Sequence, residues 1–187
     1  IEGNYLLYVG TLEPRKNLRR LLEAYSLLSD SIRDKYSFII VGGKGWGNED
    51  VYSIIEHFNI KKNVKVLGYL SDKELADIYR SAHVLVMPSL YEGFGLPLLE
   101  SMSFGIPIIT SNTSSMPEIG GNAAIYVDPN SSNSIKNGIE EVIMSHNLWK
   151  KLSKNALIRS SLFSWSKASK ETLIVFEKAM MENINNN

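Results

Sequence analysis

Two carboxylates stand eight positions apart in Glu92-Gly93-Phe94-Gly95-Leu96-Pro97-Leu98-Leu99-Glu100, on either side of a Gly-Phe-Gly turn. A carboxylate of this kind accepts hydrogen bonds from vicinal hydroxyls, as the acidic residue of a dinucleotide site does with ribose. The stretch follows an apolar run, His83-Val84-Leu85-Val86-Met87, closed by Pro88, which predicts a buried strand. Beyond the turn, Leu98 to Phe104 predicts a helix whose first turn contains Pro97, where a missing N–H loses no partner. The unit is strand, glycine loop, helix, and in an open parallel sheet such loops hold ligands. The N–H groups of the helix start, near Leu98 and Leu99, offer a site for a phosphate or another anion. Gly93 and Gly95 would let backbone approach a ligand with no Cβ in the way. Glu92 from the loop and Glu100 from the second helical turn are expected to face one crevice. Together they describe a phosphate flanked by two polyhydroxy groups, the chemistry of a nucleotide-sugar.

The elements that must position these groups alternate along the whole chain. Strands are predicted at Tyr5 to Val9, Phe38 to Val41, Val64 to Leu67, Val84 to Met87, Pro107 to Thr110 and Ala124 to Val127. Leu18, Leu21, Leu22, Tyr25 and Leu28 repeat at helical spacing behind Asn17, a good capping residue. Ser71-Asp72-Lys73-Glu74 has the capping-box pattern, opening a helix with Leu75, Ile78, Tyr79 and Ala82 on its inner face. Ile135, Ile139, Val142 and Ile143 mark another helix, and Leu148, Leu152 and Ala156 a further one. A last helical stretch from Trp165 to about Met181 carries Leu173, Phe176 and Met180 on one face. Such alternation predicts an α/β domain built on a doubly wound, Rossmann-like parallel sheet with right-handed crossovers.

Arg15 and Lys16 fall just past the first strand, at a ligand-loop position where two cations would offset the charge of a diphosphate leaving group. Arg19 and Arg20 read instead as the solvated side of a helix. Gly42-Gly43-Lys44-Gly45-Trp46-Gly47 is glycine-rich but is neither a P-loop nor G-x-G-x-x-G. Trp46 either anchors that loop over apolar surface or meets a ligand. Glu118 could favour a helix start, where a carboxylate is stabilising. His83 opens a buried strand and reads as a core histidine, whereas His57 and His146 fall on helix surfaces. No Asp-x-Asp and no cluster with metal-ligand spacing occurs, so no metal is expected.

Several of these segments, in this order, resemble the retaining glycosyltransferases of family four, which have the GT-B fold. The E-x7-E element Glu92 to Glu100 lies within Val86-Met87-Pro88-Ser89-Leu90-Tyr91-Glu92-Gly93-Phe94-Gly95 and runs on into Ser101-Met102-Ser103-Phe104-Gly105-Ile106-Pro107-Ile108-Ile109. Tyr8-Val9-Gly10-Thr11-Leu12-Glu13-Pro14-Arg15-Lys16-Asn17, Ser114-Ser115-Met116-Pro117-Glu118 and Ala124-Ile125-Tyr126-Val127-Asp128-Pro129 are similar to that family too. The resemblance implies the C-terminal, donor-binding half of a GT-B enzyme, with an N-terminal acceptor domain outside this chain and a final helix that crosses to it. It implies that Glu92, Lys16 and Arg15 serve catalysis, and it places the segment of Glu118 under the sugar site. Gly10, Thr11, Gly43, Tyr69, Leu70, Gly93, Phe94, Gly95, Leu98, Leu99 and Glu100 would bind the donor, Glu100 through ribose. Many relatives carry Arg where this chain has Thr11, and Arg15 is expected to supply that second cation. The first-loop text resembles bacterial mannosyltransferases of surface polysaccharide, so GDP-mannose is the favoured donor and a UDP-sugar the alternative. The acceptor would be a saccharide or lipid-linked hydroxyl.

With 187 residues, the chain is one domain, expected over 1–182 with a disordered polar tail at 183–187. It begins at Ile1 and enters a strand pattern at once, as expected of a domain taken from a longer chain. Twenty basic and twenty acidic residues cancel, which argues against a nucleic-acid partner or a basic membrane face. No apolar run approaches the ~18 residues of a membrane span, and membrane association is expected to be indirect at most. The absence of cysteine excludes disulfide and thiolate chemistry and fits a cytoplasmic setting, at the inner face of the membrane for the full-length enzyme. No cofactor is expected. Two other functions fit the same residues: a nucleotide-sugar epimerase of GT-B architecture, and a non-catalytic sugar-nucleotide binding module. A dehydrogenase is disfavoured because the glycine fingerprint is missing after the first strand.

Overall fold

The computed structural model describes residues 4–47 and 50–185. Six parallel strands form one sheet: β1 (Asn4–Val9), β2 (Tyr36–Val41), β3 (Val64–Gly68), β4 (Val84–Met87), β5 (Ile108–Ser111) and β6 (Ala124–Val127), in the order β3-β2-β1-β4-β5-β6. Helices α1 (Leu18–Ser26), α2 (Asp30–Lys35), α3 (Val51–His57), α4 (Asp72–Ser81), α5 (Leu96–Ser103), α6 (Met116–Gly120), α7 (Ser132–Met144), α8 (His146–Ser160) and α9 (Trp165–Asn185) flank it. Every residue of β4 and β5 is buried, as is β1 from Tyr5 onward, which is why these strands read as continuous apolar runs rather than alternating ones. Leu6 sits opposite Phe38 on one side and Val84 on the other, at the centre of the core.

The six strands match their sequence signals with shifts of at most two residues at the ends, whereas the short helices α2, α3 and α6 were not expected as elements. β2 begins at Tyr36 rather than Phe38 because Tyr36 pairs with Asn4 of β1. β5 begins after Pro107, which has no N–H to give the ladder. The capping box at Ser71 is present in both limbs, the Glu74 amide meeting the Ser71 hydroxyl and the Glu74 carboxylate meeting the Ser71 amide. Asn17 departs from expectation. It adopts a left-handed conformation, φ 61°, and its side chain makes no cap. Its amide group instead donates to the carbonyls of Pro88, at 2.9 Å, and Pro129, at 2.7 Å, pinning two other loops to the start of α1. The final helix continues past residue 182 to Asn185, and Leu173, Phe176 and Met180 on it are each more than half exposed.

At the carboxyl ends of β1 and β2 the backbone itself comes into contact. Gly42 has φ 148°, and a Cβ there would lie 2.0 Å from the Gly10 carbonyl oxygen, so only glycine fits. The bonds Gly10 N–H to Val41 C=O, Leu12 N–H to Gly43 C=O and Gly42 N–H to Gly68 C=O lock the loops after β1, β2 and β3 together.

His83, at the opposite end of β4, packs between the rings of Tyr36 and Trp149, with centroids 5.0 and 5.4 Å away, and its carbonyl accepts the Trp149 indole N–H. Burial, then the charges of Lys35 and His146, hold its pKa below the ordinary 6.5. The unfolded chain therefore takes up a proton near pH 6.5 that the folded chain refuses, so the histidine's stabilising contribution is complete above that pH and is lost as pH falls below it. Thermal melts between pH 7.5 and 5 should show a steeper acid loss for the native chain than for His83→Phe, which keeps an aromatic ring but cannot titrate; parallel slopes would refute the assignment.

Candidate active site

The sheet order reverses between β1 and β4, so the loops leaving these strands diverge over a crevice at the carboxyl edge. The first loop ends in a short 3-10 turn, Pro14–Lys16, and the second runs from Pro88 to Gly95. They are stitched together by the Leu90 N–H donating to the Arg15 carbonyl at 2.8 Å, beside the Asn17 contact to Pro88.

Glu92 lies at the junction and is only 6% exposed. One carboxylate oxygen meets the Lys16 ammonium at 2.6 Å and accepts the Ser89 hydroxyl at 2.8 Å. The other meets Nη1 of Arg15 at 2.7 Å, while Nε of Arg15 pairs with Glu13 at 2.8 Å. The hydrogen bond that Arg15 donates to Glu92 raises the Arg15 pKa above its ordinary value. The sequence reading aimed Arg15 and Lys16 at a diphosphate, whereas both are paired with Glu92. A carboxylate withdrawn from water needs opposite charge and hydrogen bonds, and these two cations are the ones the first loop brings within reach. Below them Tyr8 is fully buried, its hydroxyl 3.4 Å from the Thr11 carbonyl. Burial, then Glu92 and Glu13, push its pKa up, so it stays protonated.

The backbone of Glu92 is held as firmly as its side chain. The Ser114 hydroxyl accepts the Glu92 N–H at 3.1 Å and donates to the Glu92 carbonyl at 2.5 Å, and the Ser115 hydroxyl lies 3.0 Å from the carbonyls of both Glu92 and Phe94. Ser89, Ser114 and Ser115 were not singled out as site residues from sequence. Ser89 had a signal, standing three residues before a carboxylate after a strand end; the serines after β5 join the site only through the fold.

Gly93 faces open space, with nothing within 4 Å of where a Cβ would be. Gly95 does not. It has φ 100°, and its missing Cβ would lie 2.6 Å from Cε of Met116, so this glycine serves the turn into α5 rather than close approach from the crevice. The turn also folds the Gly95 carbonyl onto the Leu98 amide at 2.9 Å. That N–H, read from sequence as a free donor, already has an acceptor, and the Leu98 side chain is buried, with Leu99 half-buried beside it. Phe94 is packed edge-on against Phe163, 6.0 Å between centroids. Glu100 projects from α5 on the exposed side and accepts the Tyr79 hydroxyl at 2.8 Å.

The remaining candidates line the same carboxyl edge. Gly10 joins the backbone contact with Gly42, Thr11 is exposed, and no atom lies within 4 Å of a Cβ built at Gly43. Tyr69 is 85% exposed and Leu70 half-buried, just beyond β3. Trp46 is 72% exposed, which weighs against its anchoring the loop over apolar surface. Glu118 sits in the first turn of α6 with its side chain exposed. Among the described residues, no three acidic or histidine side chains converge as metal ligands, and no helix is long and apolar enough to cross a membrane.

Comparison with known proteins follows the same lines. Over 174 residues the chain is 37% identical to O-antigen chain mannosyltransferase B of Escherichia coli, a match covering 92% of this chain and 45% of that protein. It is 33% identical over 139 residues to O-antigen chain mannosyltransferase RfbU of Salmonella typhimurium, covering 74% of this chain and 38% of the relative. The chain thus spans less than half the length of these relatives. Among solved structures, sucrose-phosphate synthase from Thermosynechococcus elongatus superposes with a TM-score of 0.83 at 25% identity, over 97% of this chain and 46% of that one. Anabaena HepE, in complex with UDP and glucose, has the same fold, with a TM-score of 0.81 at 20% identity over 93% of this chain and 48% of its own. The model of the family described as Glycosyl transferases group 1 matches residues 2–159, which contain β1 to β6 and every candidate site residue, and the chain belongs to that family.

Proposed function

We propose that this chain is the donor-binding half of a retaining glycosyltransferase of GT-B architecture. In this reading the full-length enzyme moves a hexose, with mannose favoured, from a nucleoside diphosphate sugar to a saccharide or lipid-linked hydroxyl. The observation that carries it is the buried Glu92 with Lys16 and Arg15 at the switch point, one helical segment away from the exposed carboxylate of Glu100. Glu100 takes the ribose hydroxyls, and the loop at Glu92 and Gly93 holds the transferred sugar. Lys16 and Arg15 share their charge between Glu92 and the diphosphate, where developing negative charge on the leaving group is met by fixed cations. GDP-mannose is the favoured donor, supported by the two O-antigen mannosyltransferases among the relatives. A UDP-sugar is the alternative, since HepE carries UDP and glucose. The setting proposed is cytoplasmic, without metal or cofactor. The same relatives are transferases, and nothing in the site favours epimerisation or binding alone.

Hydrogen bonds to a charged group contribute about 1.5–3 kcal/mol, so Glu100→Ala should weaken GDP binding about 10- to 150-fold in calorimetry. Unchanged affinity would remove Glu100 from the site. Lys16→Ala should lose more affinity for GDP than for guanosine, which has no phosphate for the cation to meet. Equal losses would mean that Lys16 acts only by balancing buried Glu92, an effect a thermal melt would reveal separately. Because transfer requires two reactants held together, and the proposal places only the donor pocket here, these 187 residues should bind nucleotide yet transfer no sugar. Acceptor glycosylation by this chain alone would overturn the division of labour.

A further inference from the structure

We propose that Tyr79 is a positioning residue that fixes the Glu100 carboxylate in the orientation a ribose diol requires. The inference rests on the reading of Glu100 as the ribose-binding group. The two residues are 21 positions apart in sequence and belong to different helices, Tyr79 to α4 and Glu100 to α5. Their contact is a hydrogen bond of 2.8 Å from the phenol hydroxyl to Oε2 of the carboxylate.

Glu100 is exposed, and a glutamate on a helix surface keeps several rotamers whose loss on binding costs up to about 1.5–2 kcal/mol. Tyr79 is in the opposite state. It is 1% exposed, and its ring stacks parallel to that of Phe104 with an offset, centroids 5.6 Å apart and planes 12° apart. A ring clamped in that way fixes its hydroxyl in space, and the hydroxyl donates from α4 to the Glu100 oxygen. Burial, then the charge of Glu100, hold the Tyr79 pKa well above the ordinary range, so the group remains a donor at any working pH.

An ionised carboxylate has about four lone-pair sites on two oxygens, and it donates nothing. Tyr79 takes one site on Oε2. The other oxygen keeps its full capacity for the two vicinal hydroxyls of a ribose, and the tyrosine bond restrains rotation about the last torsion of the side chain. Ordering of the carboxylate then precedes the ligand instead of being imposed by it, which is how preorganisation raises affinity without a new ligand contact. Tyr79 itself need not touch the nucleotide.

The test is Tyr79→Phe, which retains the ring on Phe104 and removes only the hydroxyl. Calorimetry would compare GDP with 2′,3′-dideoxy-GDP, and UDP with its dideoxy analogue, for the native chain, Tyr79→Phe and Glu100→Ala. Losing one ordinary hydrogen bond should lower the preference for the ribo form about three- to tenfold in Tyr79→Phe while leaving affinity for the dideoxy form unchanged. Dideoxy binding also reports that the variant pocket is folded. Equal weakening of both forms would show that Tyr79 acts only on folding and would overturn the proposal. If Glu100→Ala abolishes the ribo preference and Tyr79→Phe leaves it intact, the proposal falls while the reading of Glu100 stands. If Glu100→Ala leaves the preference intact, the reading of Glu100 fails and the proposal with it.

Discussion

A carboxylate 6% exposed at the end of a central strand cannot stand alone, and the pairing of Glu92 with Lys16 and Arg15 meets that demand. Leaving such a charge without its partners costs about 3–5 kcal/mol, a large part of the stability of an ordinary domain. The pairing joins residues 76 and 77 positions apart and therefore closes the loop after β1 onto the loop after β4. The Leu90 amide on the Arg15 carbonyl and the Asn17 side chain on the Pro88 carbonyl repeat the same closure in neutral hydrogen bonds. With the serines after β5 gripping the Glu92 backbone, three loops from three adjacent strands are held as one body. The switch point of the sheet is thus kept in a defined shape by its own charges.

The two carboxylates of the motif are not equivalent. Glu92 has three donors on its four or so lone-pair sites, from Lys16, Ser89 and Arg15, so it can accept little more without releasing one. Glu100 has one neutral donor, Tyr79, and is open to solvent. In the proposed function, recognition of a polyhydroxy group near Glu92 would therefore lean on the loop backbone at Gly93, whose missing side chain leaves that face open. Recognition at Glu100, in the same proposal, would rely on the carboxylate itself. One motif with two identical side chains yields one charge-balanced anchor and one hydrogen-bond acceptor, and burial is what separates them.

Much of the fold was legible because its signals are local. Continuous apolar runs mark strands covered on both faces, and β4 and β6 have the boundaries expected from them. The Ser71 box names its own cap, since donor and acceptor are three residues apart. Where signals are not local, sequence reading went astray in particular ways. Asn17 looked like a cap by its position, yet its acceptors lie 71 and 112 residues away. Tyr79 was placed correctly on the inner face of α4 by spacing alone, but spacing says nothing of where a phenol hydroxyl finds its acceptor. Gly95 was assigned to ligand approach, because composition cannot separate a glycine needed for φ from one needed for access.

The charge count bears on how an anion would be held. Lys16 and Arg15 face Glu92 and Glu13, so the cluster is close to neutral and the crevice carries no strong uncompensated field from these four groups. A phosphate arriving there must draw on donors the carboxylates leave over. An ammonium has three N–H bonds and Lys16 directs one contact to Glu92; a guanidinium has five, and the contacts of Arg15 engage only Nε and Nη1. Both cations can therefore bridge, keeping Glu92 paired while meeting a second anion. Bridging gives the pairing on a buried glutamate a consequence for the proposed function: the positions of the cations are set before any ligand contact, so a leaving diphosphate of the proposed donor would be met without reorganising the protein.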